Sequence, residues 1–138
     1  MQYSLDLYTE SREEVDRVLA PFRISTTIQQ GIYFGYPDCC IKAFVLSRFF
    51  NQGGPYLTAE DTPFDGSGFI PCPEHRHIAV KQVEAQINSR RYARMPYRHD
   101  LENHVHHHEA REAYSSLMQK DKAFQRKWQN CARSIGLF

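Results

Sequence analysis

Two short stretches govern what this chain can fold into: Gly35-Tyr36-Pro37-Asp38-Cys39-Cys40-Ile41-Lys42-Ala43-Phe44 and, further on, Pro71-Cys72-Pro73-Glu74-His75-Arg76-His77. Together they carry three of the four cysteines and two of the seven histidines. Each is a proline-framed turn delivering thiols to a predicted helix start, where free backbone N–H groups and the positive end of the helix dipole favour a thiolate. A fold that brings the two corners face to face creates either a metal site or a reactive-thiol site. Metal ranks first.

The setting of those thiols follows from the rest of the chain. The amino end, Met1 to Leu7, lacks the charged start and apolar run of a signal peptide, and no apolar run approaches the roughly 20 residues of a membrane span. The expected location is cytoplasmic, with no membrane partner. In a reducing compartment cysteines are free thiols, ligands or catalytic groups more often than a disulfide framework. A bond between the neighbours Cys39 and Cys40 would in any case be strained. Seventeen Lys+Arg against sixteen Asp+Glu leave a formal charge of +1, which argues against a broad basic footprint for nucleic acid.

The 138 residues, 41% of them hydrophobic and 13% aromatic, suit one domain spanning 1–138 with a genuine core. Tyr3, Leu5 and Leu7 alternate with polar residues and predict a short opening strand. Ser11 and Glu14 fit a capping box for a helix carrying Val15, Val18 and Leu19, which Pro21 ends. The β-branched run Ile24, Thr26, Thr27 and Ile28, followed by Ile32, Tyr33 and Phe34, predicts extended structure. Pro37 then suits the first turn of a helix bearing Ile41, Phe44, Val45 and Phe49 on one face. Residues 53–70, rich in Gly, Pro and acids, predict a long surface loop joining the two thiol corners.

A helix is expected from Pro73 through Ala79, Val83 and Ile87. Another runs from about Arg98 to Met118, and a last one from Asp121 to about Ser134 with Phe124, Trp128, Cys131 and Ile135 on one face. The expected fold class is therefore α+β, mostly helical, with a small N-terminal strand region and about four helices.

The chemistry centres on Cys39, Cys40, Cys72 and His75. Zinc takes four N or S ligands, often as short-range pairs from separate parts of the chain, and Cys72-x-x-His75 has the spacing of such a pair. Adjacent cysteines rarely both ligate one ion, so one of Cys39 and Cys40 is expected as ligand and the other as a packed thiol. That leaves a place for His108, which shares a predicted helix face with Leu101, Val105 and Glu112. His104, four residues earlier, and His77 are further candidates. Glu112 is the candidate proton carrier. Zinc is the expected cofactor and iron the alternative. Four protein ligands make a structural site; three plus water make a catalytic one, with hydrolytic or deaminase-like water activation and a small-molecule substrate.

Blander explanations compete at each position, since buried cysteines commonly serve as small hydrophobes and a histidine-rich helix face is commonly solvated. Two other functions compete as well. Cys39, activated by a helix start and by His75 or His77, would be a metal-free nucleophile. Arg90, Arg91, Arg94 and Arg98, interleaved with Tyr92 and Tyr97, would suit RNA, through phosphate contacts and base stacking.

At Gly35-Tyr36-Pro37-x-Cys39-Cys40 and Pro71-Cys72-x-x-His75 the chain resembles uncharacterised small prokaryotic proteins with a G-Y-P-x-C-C motif followed by a P-C-x-x-H motif. The resemblance implies that Cys39, Cys40, Cys72 and His75 belong together. It brings no activity with it.

Overall fold

The first thirty residues with a described backbone form one helix, α1 (Leu5–Phe34), which passes straight through Pro21. The computed structural model describes residues 5–52, 54, 56–97 and 107–137, with residues 5–18 and 107–109 as backbone only. This helix overturns the expected strand region. Leu5 and Leu7 are helical, Tyr3 lies outside the described residues, and Arg23 to Phe34 is helix rather than extended chain. Among the described residues there is no strand, so the fold is all-helical and not α+β.

Packing decides this against local preference. Ile24, Ile28 and Ile32 are spaced by four and are all buried, so β-branching hid a helical stripe. Three such burials at roughly 1.5–3 kcal/mol each outweigh the roughly 3 kcal/mol that an interior proline costs. Pro21 itself is exposed. The hydroxyls of Thr26 and Thr27 donate to the carbonyls of Phe22 (2.6 Å) and Arg23 (2.8 Å), which lets these residues sit in a helix with their polar atoms satisfied.

Gly35 ends α1. Its φ of +83° turns the chain, and its N–H donates to the carbonyl of Ile32 while that of Tyr36 donates to Gly31. Helix α2 (Asp38–Phe49) follows at once, with Pro37 at its cap rather than in its first turn. Gly31 is where α1 and α2 touch: a Cβ there would lie 2.7 Å from Cγ1 of Ile41. A single turn of 3₁₀ helix (His75–His77) and helix α3 (Val80–Arg90) come next, then α4 (His107–Lys120) and α5 (Lys122–Ile135). The helix expected from Pro73 is therefore a tight turn and a 3₁₀ turn. Regular helix starts only at Val80, with Ala79 at its cap.

The final helix matches its sequence. Asp121 accepts from the backbone N–H of Phe124 (2.9 Å) at one end, and Gly136 in the left-handed region closes the other. Helix α1 packs against each of α2, α3, α4 and α5, and α5 also packs on α2 and α4.

Two buried clusters result. The first joins Ile24, Ile28, Ile32, Ile41, Val45, Tyr114, Phe124, Cys131 and Ala132. The second joins Cys40, Phe64, Phe69, Cys72, Val83, Ile87 and Tyr97, with Tyr36 packed against both. Phe64 and Phe69 belong to the segment expected to be a surface loop. Both are fully buried, while the hydroxyls of Thr62 and Ser67 satisfy the turns between them. Ser47 anchors the same segment by accepting from the N–H of Leu57 (2.9 Å). No helix among the described residues is long and apolar enough to cross a membrane.

Two outcomes follow from this packing. A Cβ on Gly35 would press on the Ile87 carbonyl and lie 2.7 Å from the Arg91 nitrogen, in a backbone conformation already unfavourable for alanine by about 1–2 kcal/mol. Gly35→Ala should therefore cost about 2–4 kcal/mol in urea denaturation; an unchanged midpoint would show that α1 and α3 are not in contact there. Burial, reinforced by the Asp38 charge, pushes the Cys131 thiol from 9.0 to about 12. A folded-state value above the unfolded one gives stability that is whole below 9.0 and lost as pH rises toward about 12. Between these limits the wild type should lose stability more steeply than Cys131→Ala, measured by urea midpoints across alkaline buffers.

Candidate metal centre

The first turn of α2 and the Pro71–His77 segment meet through sulfur and imidazole. Cys39 and Cys40 are the second and third residues of α2. Neighbouring side chains on a helix diverge by about 100°, yet both sulfurs come within reach of the opposite corner. Cys72 and His75 are held three residues apart by the bonds from Arg76 N to the Cys72 carbonyl (3.1 Å) and from Ile78 N to the His75 carbonyl (3.1 Å).

His75 Nδ1 lies 3.2 Å from the Cys39 sulfur and 3.2 Å from the Cys72 sulfur. The two sulfurs are 3.7 Å apart. The Cys40 sulfur accepts from the N–H of Cys72 at 3.3 Å, and the Cys72 sulfur from the N–H of His75 at 3.5 Å. All four donor atoms fall within 4.8 Å of one another. The group could hold a metal ion. Both neighbouring cysteines therefore enter the group, where only one was expected.

Exposure divides the group unequally: Cys40 and Cys72 are buried at 2% and 4%, and Cys39 is exposed. Burial, with the Cys72 thiol beside it, holds the Cys39 thiol above its ordinary pKa. Burial does the same more strongly for Cys40. Without an ion these two thiols keep their protons, which is opposite to what an activated nucleophile needs. Burying two thiols beside a half-buried imidazole costs desolvation that an ion would offset.

The other sequence candidates stand elsewhere. His77 is exposed at the end of the 3₁₀ turn, and Glu112 is exposed on α4; neither belongs to the group. His104 and Arg98, and the side chain of His108, lie outside the described residues. The basic-aromatic segment is largely committed to structure. Arg90 pairs with Asp38 at 2.9 Å, and Arg91 donates to the Ala93 carbonyl. Tyr92 packs on Phe124 beneath the Lys127 ammonium, and Tyr97 is buried against Phe69. Arg94 is exposed.

Sequence reasoning missed a small groove of about 100 Å³ beside the centre, lined chiefly by apolar groups of Tyr36, Cys40, Ile41, Phe44 and Phe69, with Thr27 and Gln30 on its α1 side. Three separate segments build it, so no local pattern announces it. Comparison of the chain with protein-family models, with curated proteins and with solved structures finds no match in any of the three.

Proposed function

We propose that this is a zinc-binding protein in which Cys39, Cys40, Cys72 and His75 hold one structural ion. The observation that carries this is the mutual spacing of four donors of the right chemistry. A tetrahedral zinc with bonds of about 2.3 Å to sulfur and about 2.0–2.1 Å to nitrogen has sulfur–sulfur edges of about 3.8 Å and sulfur–nitrogen edges of about 3.5 Å. The observed 3.7 Å between the Cys39 and Cys72 sulfurs matches the first. The two 3.2 Å approaches to His75 need a small opening to reach the second.

Thiolates with one imidazole suit zinc ahead of the harder divalent ions, and iron is the alternative they also admit. The backbone N–H groups of Cys72 and His75 point at sulfur and would stabilise the negative charge of the ligated thiolates. The positive end of α2 acts in the same direction. The ion would tie the long 51–77 segment to α2, joining the two chain corners at the edge of the second cluster.

The exposure of Cys39, beside a groove that reaches Cys40, favours a second reading. In that case Cys40, Cys72 and His75 would hold the ion, which would supply water activation toward a small substrate in the groove.

Purified protein should carry about one zinc per chain, and Cys72→Ser and His75→Ala should each lose it. Wild-type protein with no metal after reconstitution would remove both readings. Cobalt in place of zinc should give the intense visible bands of a tetrahedral site with sulfur-to-metal charge transfer. Octahedral, weakly coloured cobalt would contradict the four-ligand site. Chelation should lower Tm by on the order of 10 °C.

The pH dependence has a definite sign. The ion must displace protons from thiols that burial holds up, Cys39 and Cys40 among them, so affinity rises with pH. Competition titrations between about pH 6 and 8 should show zinc affinity changing more than roughly tenfold per unit. A flat profile would mean that thiolates are not the ligands.

A further inference from the structure

We infer that Cys39 and Cys72 form an oxidation site, closing to a reversible disulfide when the protein meets hydrogen peroxide. The inference concerns side chains of the metal centre but rests on the thiol geometry alone. Three observations carry it. First, of the four cysteines only Cys39 is exposed, so an oxidant from solvent reaches that sulfur before any other. Second, the Cys72 sulfur lies 3.7 Å away, on a separate segment of the chain. Third, Cys40 is not a competing partner. It is Cys39's chain neighbour, so a bond between them would strain the helix start, and its sulfur accepts the N–H of Cys72 inside the second cluster.

The chemistry balances with one peroxide. The Cys39 thiol first gives its proton to solvent, a step that its partial burial slows, and the thiolate sulfur then attacks the O–O bond, giving a sulfenic acid and, with that proton, one water. The Cys72 sulfur then attacks the sulfenic sulfur, the S–O bond breaks, and a second water leaves with the remaining thiol proton. Two thiols lose two electrons, and the peroxide oxygens are reduced to water. Closing the bond requires the sulfurs to come from 3.7 Å to about 2.05 Å, a movement within reach of side-chain rotation. Two of the four donors are consumed, so an ion held by the group would be released. A resolving partner next to the oxidised sulfur favours the disulfide over further oxidation.

The test uses the full chain, wild type, treated with one equivalent of hydrogen peroxide both after zinc loading and after chelation. Thiol titration under denaturing conditions, intact mass and non-reducing peptide mapping give the readouts. Expected are a loss of two of the four thiols, a mass lower by two hydrogens, and a Cys39–Cys72 cross-link that dithiothreitol reverses. Cys39→Ser should abolish the cross-link, and Cys131→Ser should leave it intact. A Cys39–Cys40 or Cys40–Cys72 link, or sulfinic acid with no disulfide, would overturn the inference. A colorimetric zinc indicator separates the two ideas. The cross-link without any bound zinc keeps this inference and removes the metal reading. Bound zinc with no cross-link does the reverse.

Discussion

The contact between sulfur and imidazole at the start of α2 joins two corners of the chain, Cys39 and His75, that lie 36 residues apart in sequence, beside the buried cluster that packs the same segments together. Helix α2 presents two adjacent residues to two different interiors: Ile41 faces the cluster formed with α1 and α5, and Cys40 faces the cluster built from the 51–97 region. The second cluster draws Phe64, Phe69 and Cys72 from segments without regular helix. Such segments pay the full entropy of ordering without the cooperative ladder of a helix. Their order depends on burial of two phenylalanines, on hydroxyl-capped turns, and on the four donors that join the Pro71–His77 corner to α2.

The bare backbone at Gly31 and Gly35 makes the geometry of that junction achievable. Gly31 lets Ile41 sit directly on α1, which fixes how close α2 approaches. Gly35 lets the turn before α2 run against the end of α3, and the Arg90–Asp38 pair spans the same gap. That ion pair is largely exposed on both sides and contributes little energy. Close backbone packing, rather than charge, positions the cysteines.

Much of the centre was legible from residues alone, because ligand chemistry leaves a dense local signature. Prolines flank the thiols, and Cys72-x-x-His75 has the spacing of a short-range pair. From sequence, one of the adjacent cysteines is expected as ligand and the other as a packed thiol; the structure places both sulfurs among the four donors and also buries Cys40 in the second cluster. The last helix was legible for the same local reason, with Asp121 and Gly136 marking its ends. Helix α1 was not. Its isoleucines are β-branched and its middle holds a proline, so local preference argued for strands, while the spacing of four between Ile24, Ile28 and Ile32 argued for helix and was decided by their burial. The 51–70 segment deceived in the opposite way: glycines and acids suggested surface, and two phenylalanines among them decided the packing. Tyr92 and Tyr97 likewise looked like stacking platforms and instead pack on Phe124 and Phe69.

Trp128, the single tryptophan of the chain, sits on α5 with its indole N–H donating to the Ser25 carbonyl on α1 at 3.2 Å. It packs against the first cluster, which also holds Cys131, whereas Cys40 and Cys72 belong to the second. Intrinsic emission from this indole would follow the docking of α5 on α1, whereas ultraviolet absorption by a ligated thiolate would follow the metal centre. With an ion bound, the chain would carry two separate optical signals, and with both recorded in one denaturation the two interiors could be watched coming apart together or in turn.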